Sequence, residues 1–140
     1  MIILDTNVLS ELMRPKPSPR VTSWVTEQSA TELFTTSITE AEIFYGIELL
    51  NKGAHRDALL TAAEAMFAED LGGRILVFES EAARVFSRIA ALRRRNGRPI
   101  THADAQIAAI AQLRAAKLAT RNIADFRDCG IDVIDPWGGS

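Results

Sequence analysis

The sequence predicts an α/β fold in which a central parallel sheet of about five strands is covered by helices on both faces. Short β-branched or leucine-rich runs alternate along the chain with longer segments whose apolar residues recur at helical spacing. The short runs are apolar throughout, which is typical of strands buried on both faces. Strands of this kind that alternate with helices favour a parallel sheet between two helical layers.

Five runs are predicted as strands, and the fourth is the weakest. They are Ile2–Leu4, Leu33–Thr36, residues 75–78, residues 118–120 and Val133–Ile134. In parallel sheets ligand chemistry collects at the carboxyl ends of the strands, so functional residues are expected directly after these runs.

Helices are predicted in the intervals. One-sided apolar spacing covers residues 43–50, 82–92 and 107–114, and the proline-rich residues 14–20 are expected to join two helices. Residues 43–67 carry more apolar side chains than one face against a small sheet requires. They form either a helical hairpin packed on itself or an interface for a homodimer or a partner's amphipathic helix. Trp137 is expected to close the C-terminus onto the domain.

Composition favours one domain, residues 1–140, with 47% hydrophobic and 24% charged residues. No apolar run approaches the roughly 20 residues of a membrane span, and the first residues do not resemble a secretory signal. Cys129 is the single cysteine, which excludes an internal disulfide and a cysteine metal cluster. These features predict a cytoplasmic protein without a membrane partner.

The net charge of −2 argues weakly against a nucleic-acid partner until its distribution is considered. Residues 27–73 hold nine acids and two bases, a local charge of −7. Residues 74–98 hold seven arginines and two acids, a local charge of +5. An acidic pocket beside an arginine-rich segment is compatible with chemistry at phosphate.

Four acidic residues stand where such chemistry is expected. Asp5 directly follows the first strand, Glu42 lies in the helix after the second, Asp104 begins a later helix, and Asp125 follows the 118–120 strand. The ends of parallel strands meet at one sheet edge, which brings three of these residues together. Asp104 follows a helix, so simple topology does not place it there.

Helix capping is the competing explanation for each acid taken singly. Three of the acids follow a capping residue by three positions, and Asp5 itself could be an N-cap. The three predicted capping residues are Thr39, Thr101 and Asn122.

Clustering favours a metal site over capping alone. Two carboxylates about 4 Å apart repel by roughly 4 kcal/mol at an effective dielectric constant near 20. A divalent cation bound between the carboxylates makes the net interaction attractive, and ligation by oxygen alone suits Mg²⁺ or Mn²⁺. Metal-assisted hydrolysis or transfer at phosphate is the chemistry that needs such a cluster.

These residues resemble a known family. The opening IILDTNVLS (residues 2–10), the segment TEAE (39–42), Asp104 and the segment ATRNIADF (119–126) together resemble PIN-domain ribonucleases. More narrowly, they resemble toxins of the VapC/FitB kind from bacterial type II toxin–antitoxin pairs, and the resemblance covers the chain to about Trp137. It implies a three-layer PIN-like fold, Mg²⁺-dependent cleavage of RNA with Mn²⁺ as a substitute, dimerisation, and inhibition by a cognate antitoxin.

The resemblance also implies roles for the acids. Asp5 and Asp104 would be the principal metal ligands. Glu42 would complete the acidic pocket or bind metal through water. The fourth catalytic position falls on Asn122 or Asp125, and we favour Asp125 because a carboxylate binds a hard cation better than an amide does.

Two further groups of residues are assigned supporting roles. Thr6 and Asn122 are expected to orient carboxylates or water. A basic run is expected to contact RNA phosphates, although arginines before a glycine also suit a helix C-terminus, and both interpretations can hold. The run consists of Arg93, Arg94, Arg95 and Arg98.

Other functions remain as alternatives. The same fold could serve an RNA-processing nuclease without an antitoxin, or a metal-free α/β binding module whose acids only cap helices. An aspartyl-phosphate phosphatase is disfavoured because its second aspartate is replaced here by Asn7.

Overall fold

A parallel sheet of five strands forms the centre of the computed structural model, which describes residues 1–138. The strands are β1 (Ile2–Leu4), β2 (Leu33–Thr36), β3 (Ile75–Leu76), β4 (Lys117–Ala119) and β5 (Val133–Ile134). Their order across the sheet is β3-β2-β1-β4-β5, and each neighbouring pair is parallel. The predicted fold class is therefore confirmed.

Two predicted strands differ from the observed ones. β3 lies at the edge of the sheet and ends after Leu76, so Val77, predicted as strand, leaves the sheet and is half exposed. β4 begins one residue earlier than predicted and ends at Ala119, which leaves Thr120 just beyond the strand. The register pairs Leu4 with Ala119. Asp5 and Thr120 therefore follow adjacent strands at the same level.

Within residues 1–138, six helices surround the sheet. They are α1 (Thr6–Leu12), α2 (Pro19–Glu27), α3 (Ser37–Glu48), α4 (Ala54–Ala65), α5 (Ser80–Arg95) and α6 (His102–Leu113). The proline-rich segment joins α1 to α2, as predicted. Short 3-10 turns cover Ala30–Glu32 and Ile123–Phe126, and a π-helical turn covers Met66–Asp70.

Two hydrophobic clusters lie on opposite faces of the sheet. Alternation along β1 sends Ile3 to one cluster and Leu4 to the other, as expected for a strand buried on both sides. The first cluster packs α5 and α6 against the sheet, and the second packs α1, α3 and the Met66–Asp70 turn. These layers make the predicted three-layer arrangement.

The apolar segment 43–67 forms a hairpin of α3 and α4. Phe44 packs against Phe67 with ring centroids 5.6 Å apart. Tyr45 and Leu49 remain 67% exposed one turn apart on α3, so the hairpin does not cover its whole apolar surface. Among residues 1–138, no helix is long and apolar enough to cross a membrane.

Candidate active site

An open cleft of about 570 Å³ lies at the carboxyl ends of β1 and β4. Three of the four predicted acids line it, namely Asp5, Glu42 and Asp104, whereas Asp125 does not. Among residues 1–138, the lining consists of Asp5, Thr6, Asn7, Ser10, Glu11, Arg14, Glu42, Asp104, Arg121, Asn122 and Trp137.

Asp5 is both a helix cap and a residue of the cleft. Its Oδ1 accepts a 2.8 Å hydrogen bond from the Thr6 amide, which makes it the N-cap of α1. Its Oδ2 accepts a 2.7 Å hydrogen bond from the hydroxyl of Thr120, and the residue is only 5% exposed. Asp5 therefore caps α1 and also lines the cleft, so its capping bond does not exclude a role in the site.

Thr120 is the residue through which β4 orients Asp5. Its side chain is fully buried, and its oxygen also accepts hydrogen bonds from the Asn7 side-chain amide (3.1 Å) and the Asn122 backbone amide (3.2 Å). The Arg121 backbone amide donates to Asn7 Oδ1 at 3.2 Å. Sequence reasoning assigned Thr120 no role. A polar residue directly after a strand that pairs with β1 was the available signal.

Glu42 is held at the cleft by Thr6. The Thr6 hydroxyl donates to Glu42 Oε1 at 2.7 Å, which agrees with the orienting role predicted for Thr6. The predicted cap of α3 is wrong. The N-cap is Thr36, whose backbone is extended at the end of β2 and whose side chain accepts from the Thr39 amide. Thr39 is buried inside the helix, and Glu42 is exposed on its second turn.

Asp104 reaches the cleft because of the direction of α6. A three-residue link joins the end of α6 to the start of β4, so the helix runs antiparallel to that strand. Twelve residues span about 18 Å, which places the start of α6 above the carboxyl ends of the strands. The Asp104 amide donates to Thr101 Oγ1 at 3.2 Å, as predicted for a capping residue.

The electrostatics of the cleft disfavour charge on Asp5 and Asp104. Burial raises the pKa of Asp5, and the charges of Glu42 and Asp125 add to that effect against its two hydrogen bonds. Desolvation, followed by the charge of Asp5, raises the pKa of Asp104 to about 6. Both shifts are those expected where carboxylates share a site without a compensating cation.

The structure does not bring the favoured fourth residue, Asp125, into the lining of the cleft. Asn122 lines the cleft, whereas Asp125 lies exposed in the Ile123–Phe126 turn outside the cleft lining. The side chain of Asn122 makes no capping hydrogen bond, contrary to its predicted cap role. The charge of Asp125 still raises the pKa of both Asp5 and Asp104, so it acts on the site from nearby.

The phosphate contact predicted for Arg93 is wrong, because this residue is buried. It is 5% exposed, and its guanidinium donates to the backbone carbonyls of Arg98, Asp125 and Arg127 at 2.7–3.0 Å. These hydrogen bonds of Arg93 therefore link the end of α5 to the turn after β4. The spacing of Val85, Ile89 and Arg93 on one helix face was the signal for this burial.

The other three arginines of the run are exposed, namely Arg94, Arg95 and Arg98. They lie where α5 ends at Gly97, whose φ of +74° favours glycine. None of them lines the cleft. Their position confirms the helix C-terminus interpretation and leaves phosphate contact as a prediction.

The donor set fits Mg²⁺ with two protein carboxylates. Within the part of the chain that the structure describes, no three His, Cys, Asp or Glu side chains are close enough together to hold one ion. Mg²⁺ keeps several waters and needs only one or two carboxylates together with phosphate oxygens. Asp5 and Asp104, whose shared charge is unfavourable without a cation, meet that requirement.

Comparison with known proteins agrees with this geometry. The PIN domain family model matches residues 2–130. VapC ribonuclease Y4jK of Sinorhizobium fredii is 35% identical, with 98% of each chain covered. Toxin FitB of Neisseria gonorrhoeae is 34% identical over 98% of this chain and 99% of its own. The crystal structure of FitAcB from Neisseria gonorrhoeae has a TM-score of 0.91 at 34% identity, with 99% of each chain covered. The chain therefore belongs to the PIN-domain family, with VapC and FitB toxins among its relatives.

Proposed function

We propose that the protein is a Mg²⁺-dependent endoribonuclease that hydrolyses RNA phosphodiester bonds as the toxin of a toxin–antitoxin pair in the cytoplasm. The observation that carries the proposal is the pairing of Asp5 and Asp104 in one cleft, where desolvation, followed by the charge of Asp5, raises the pKa of Asp104 to about 6. Such a pair favours a divalent cation, and the relationship to a VapC ribonuclease supports RNA as the substrate.

Asp5 and Asp104 share one role in the proposed reaction. Asp5 and Asp104 would hold Mg²⁺, with Mn²⁺ as a substitute. The hydrogen bonds from Thr6 and Thr120 use one acceptor site on each Asp5 oxygen and leave the others for a ligand. When bound, the ion would polarise the scissile phosphate and acidify water. Hydrolysis would leave a 5′-phosphate and a 3′-hydroxyl.

The remaining polar residues of the cleft position the reacting groups. Glu42, held by the Thr6 hydroxyl, would accept hydrogen bonds from water in the cleft. Asn122 would supply an amide at the fourth position. Asp125 would add negative charge that strengthens the attraction for the cation.

Cleavage of a short single-stranded RNA tests this proposal. The wild-type protein should cleave it with Mg²⁺ or Mn²⁺ and not with EDTA, and Asp5→Asn and Asp104→Asn should both lose cleavage. Asp132→Asn, which changes an exposed carboxylate outside the cleft, serves as the matched control. Metal-dependent cleavage that survives both cleft substitutions would overturn the proposal.

A groove beside the cleft supports an antitoxin partner. An apolar groove of about 470 Å³, lined partly by Ile43, Ile47 and Leu59, shares Thr6 and Glu42 with the cleft. A partner segment seated in this groove would therefore reach the catalytic residues. The exposed Tyr45 and Leu49 support a homodimer or a toxin–antitoxin hetero-oligomer.

Expression in cells separates a toxin from an RNA-processing nuclease of the same fold. Induction of this chain alone should arrest growth, and co-expression of the adjacent reading frame should restore it. Growth arrest should also disappear with Asp104→Asn. Normal growth on induction of active wild-type enzyme would favour the processing nuclease.

A further inference from the structure

One wall of the cleft is formed by an arginine and a tryptophan that the proposed chemistry does not use. Arg121 follows Thr120 directly, and its guanidinium carbon lies 4.9 Å from the centroid of the Trp137 ring. Both residues line the same cleft as Asp5 and Asp104. The Asn7 side chain accepts from the Arg121 backbone amide, so the base of this side chain is fixed relative to the catalytic residues.

Trp137, over which that guanidinium lies, is itself held in place by contacts with the rest of the domain. Its backbone amide donates to Asp135 Oδ1 at 2.8 Å, and its carbonyl accepts from Arg20 at 3.2 Å. The side chain also packs against the hydrophobic cluster that contains Leu4, as expected for a residue that closes the C-terminus onto the domain. The cation–π contact therefore restricts a side chain that would otherwise be mobile in solvent.

The guanidinium of Arg121 retains its donors for a ligand. Its guanidinium carbon lies over the indole ring, and a guanidinium carries five N–H donors in the plane of the group. Across residues 1–138, these side-chain donors make no hydrogen bond, and no carboxylate lies within 4.0 Å of them. Arg14, the other arginine of the cleft, differs because it pairs with Glu11 at 3.4 Å.

We infer that Arg121, seated on Trp137, binds a backbone phosphate of the RNA strand next to the one that is cleaved. The planar fork of a guanidinium matches two phosphate oxygens, and a cation here offsets the repulsion between an acidic cleft and a polyanion. This inference rests on the proposed ribonuclease function. Arg121 would be a substrate-binding residue and would hold the strand in register with Asp5 and Asp104.

Binding to chemically altered RNA tests this role. The protein carries Asp104→Asn to prevent cleavage, and the probe is a fluorescent single-stranded RNA that the wild-type enzyme cleaves. Arg121→Ala should weaken binding by about tenfold, the loss of one charge-assisted contact. It should also reduce the salt dependence of binding by about one phosphate contact. Arg121→Lys should show a smaller loss, and Arg114→Ala, which changes an exposed arginine outside the cleft, should show none.

A neutral linkage in the RNA locates the contacted phosphate. Single methylphosphonate substitutions are placed in turn along the probe, each of which removes one charge. One position beside the cleavage site should weaken binding to the Asp104→Asn protein about tenfold and leave binding to the Asp104→Asn/Arg121→Ala protein unchanged. Equal melting temperatures of the two proteins would confirm that folding is intact.

The outcomes separate this inference from the function on which it rests. If the wild-type protein cleaves RNA but Arg121→Ala binds it with unchanged affinity and salt dependence, the inference is wrong and the function stands. If the same methylphosphonate substitutions weaken RNA binding by both the Asp104→Asn protein and the Asp104→Asn/Arg121→Ala protein, the inference is also wrong. If the wild-type protein neither binds nor cleaves RNA, the proposed function fails and the inference fails with it.

Discussion

Replacement of Asp104 by asparagine should stabilise the metal-free protein at neutral pH. The pKa of Asp104 is raised from its ordinary 3.8 to about 6, so the folded state favours the neutral side chain. Each tenfold change in an acid constant corresponds to about 1.4 kcal/mol, which gives about 3 kcal/mol for this shift. Because the side chain is partly exposed, solvent screening reduces the expected effect to about 1–2 kcal/mol.

The sign of the pH dependence follows from the direction of the shift. A raised folded-state pKa costs nothing below about pH 4, where Asp104 is neutral in both states, and its full cost is reached above about pH 6. Wild-type stability should therefore fall across this range relative to Asp104→Asn, since the asparagine does not titrate.

Urea denaturation in EDTA at pH 4, 6 and 8 measures this difference. The curves of wild type and Asp104→Asn should differ at pH 8 and converge at pH 4. Asp132→Asn, outside the cleft, should follow the wild type throughout. An Asp104→Asn protein that is less stable than wild type at pH 8 would refute the reasoning, because the carboxylate would then be favourably paired in the folded state.

Three further predictions address the surroundings of the site. Thr120→Val should lower the free energy of unfolding by about 1–3 kcal/mol, since Asp5 and Asn7 lose a buried partner. Thr120→Ser keeps the hydroxyl and should therefore retain most of this stability. Equal losses of unfolding free energy for the two variants in urea denaturation would contradict the role assigned to the hydroxyl. Arg93→Ala should cost about 2–4 kcal/mol, because backbone carbonyls lose a charged donor, whereas Arg94→Ala should change stability by less than about 0.5 kcal/mol. Mg²⁺ at about 100 times its dissociation constant should stabilise the wild type by about 2.7 kcal/mol and leave the melting temperature of Asp5→Asn unchanged, and an equal rise in both would argue against Asp5 as a ligand.

Sequence patterns predicted the layers of the fold because burial on both faces leaves a clear signal. β1, β2 and β5 have the predicted bounds, since their apolar runs match the residues that pair in the sheet. The residue at which β3 ends could not be predicted from the amino-acid composition of the run. Val77 is as suitable for a strand as Ile75, but β3 has a neighbour on only one side, and the chain turns away.

Fewer residues of the candidate site could be predicted from the sequence, because tertiary contacts decide the role of several of them. Asp5 could be placed because it ends a central strand. Arg93 could not be distinguished from its neighbours by charge, and only its position on the apolar face of α5 separates it. Arg121 and Trp137 meet across 16 residues of sequence, and nothing local in either segment indicates that contact.

Titration of the protein with Mn²⁺, followed by calorimetry, tests most directly whether Asp5 and Asp104 form a cation site. The wild-type protein should show saturable binding, and Asp104→Asn should lose it, while Asp132→Asn should bind as the wild type does. Equal binding by wild type and Asp104→Asn, or no saturable binding by the wild type, would contradict the metal site and favour a binding module whose acids only cap helices.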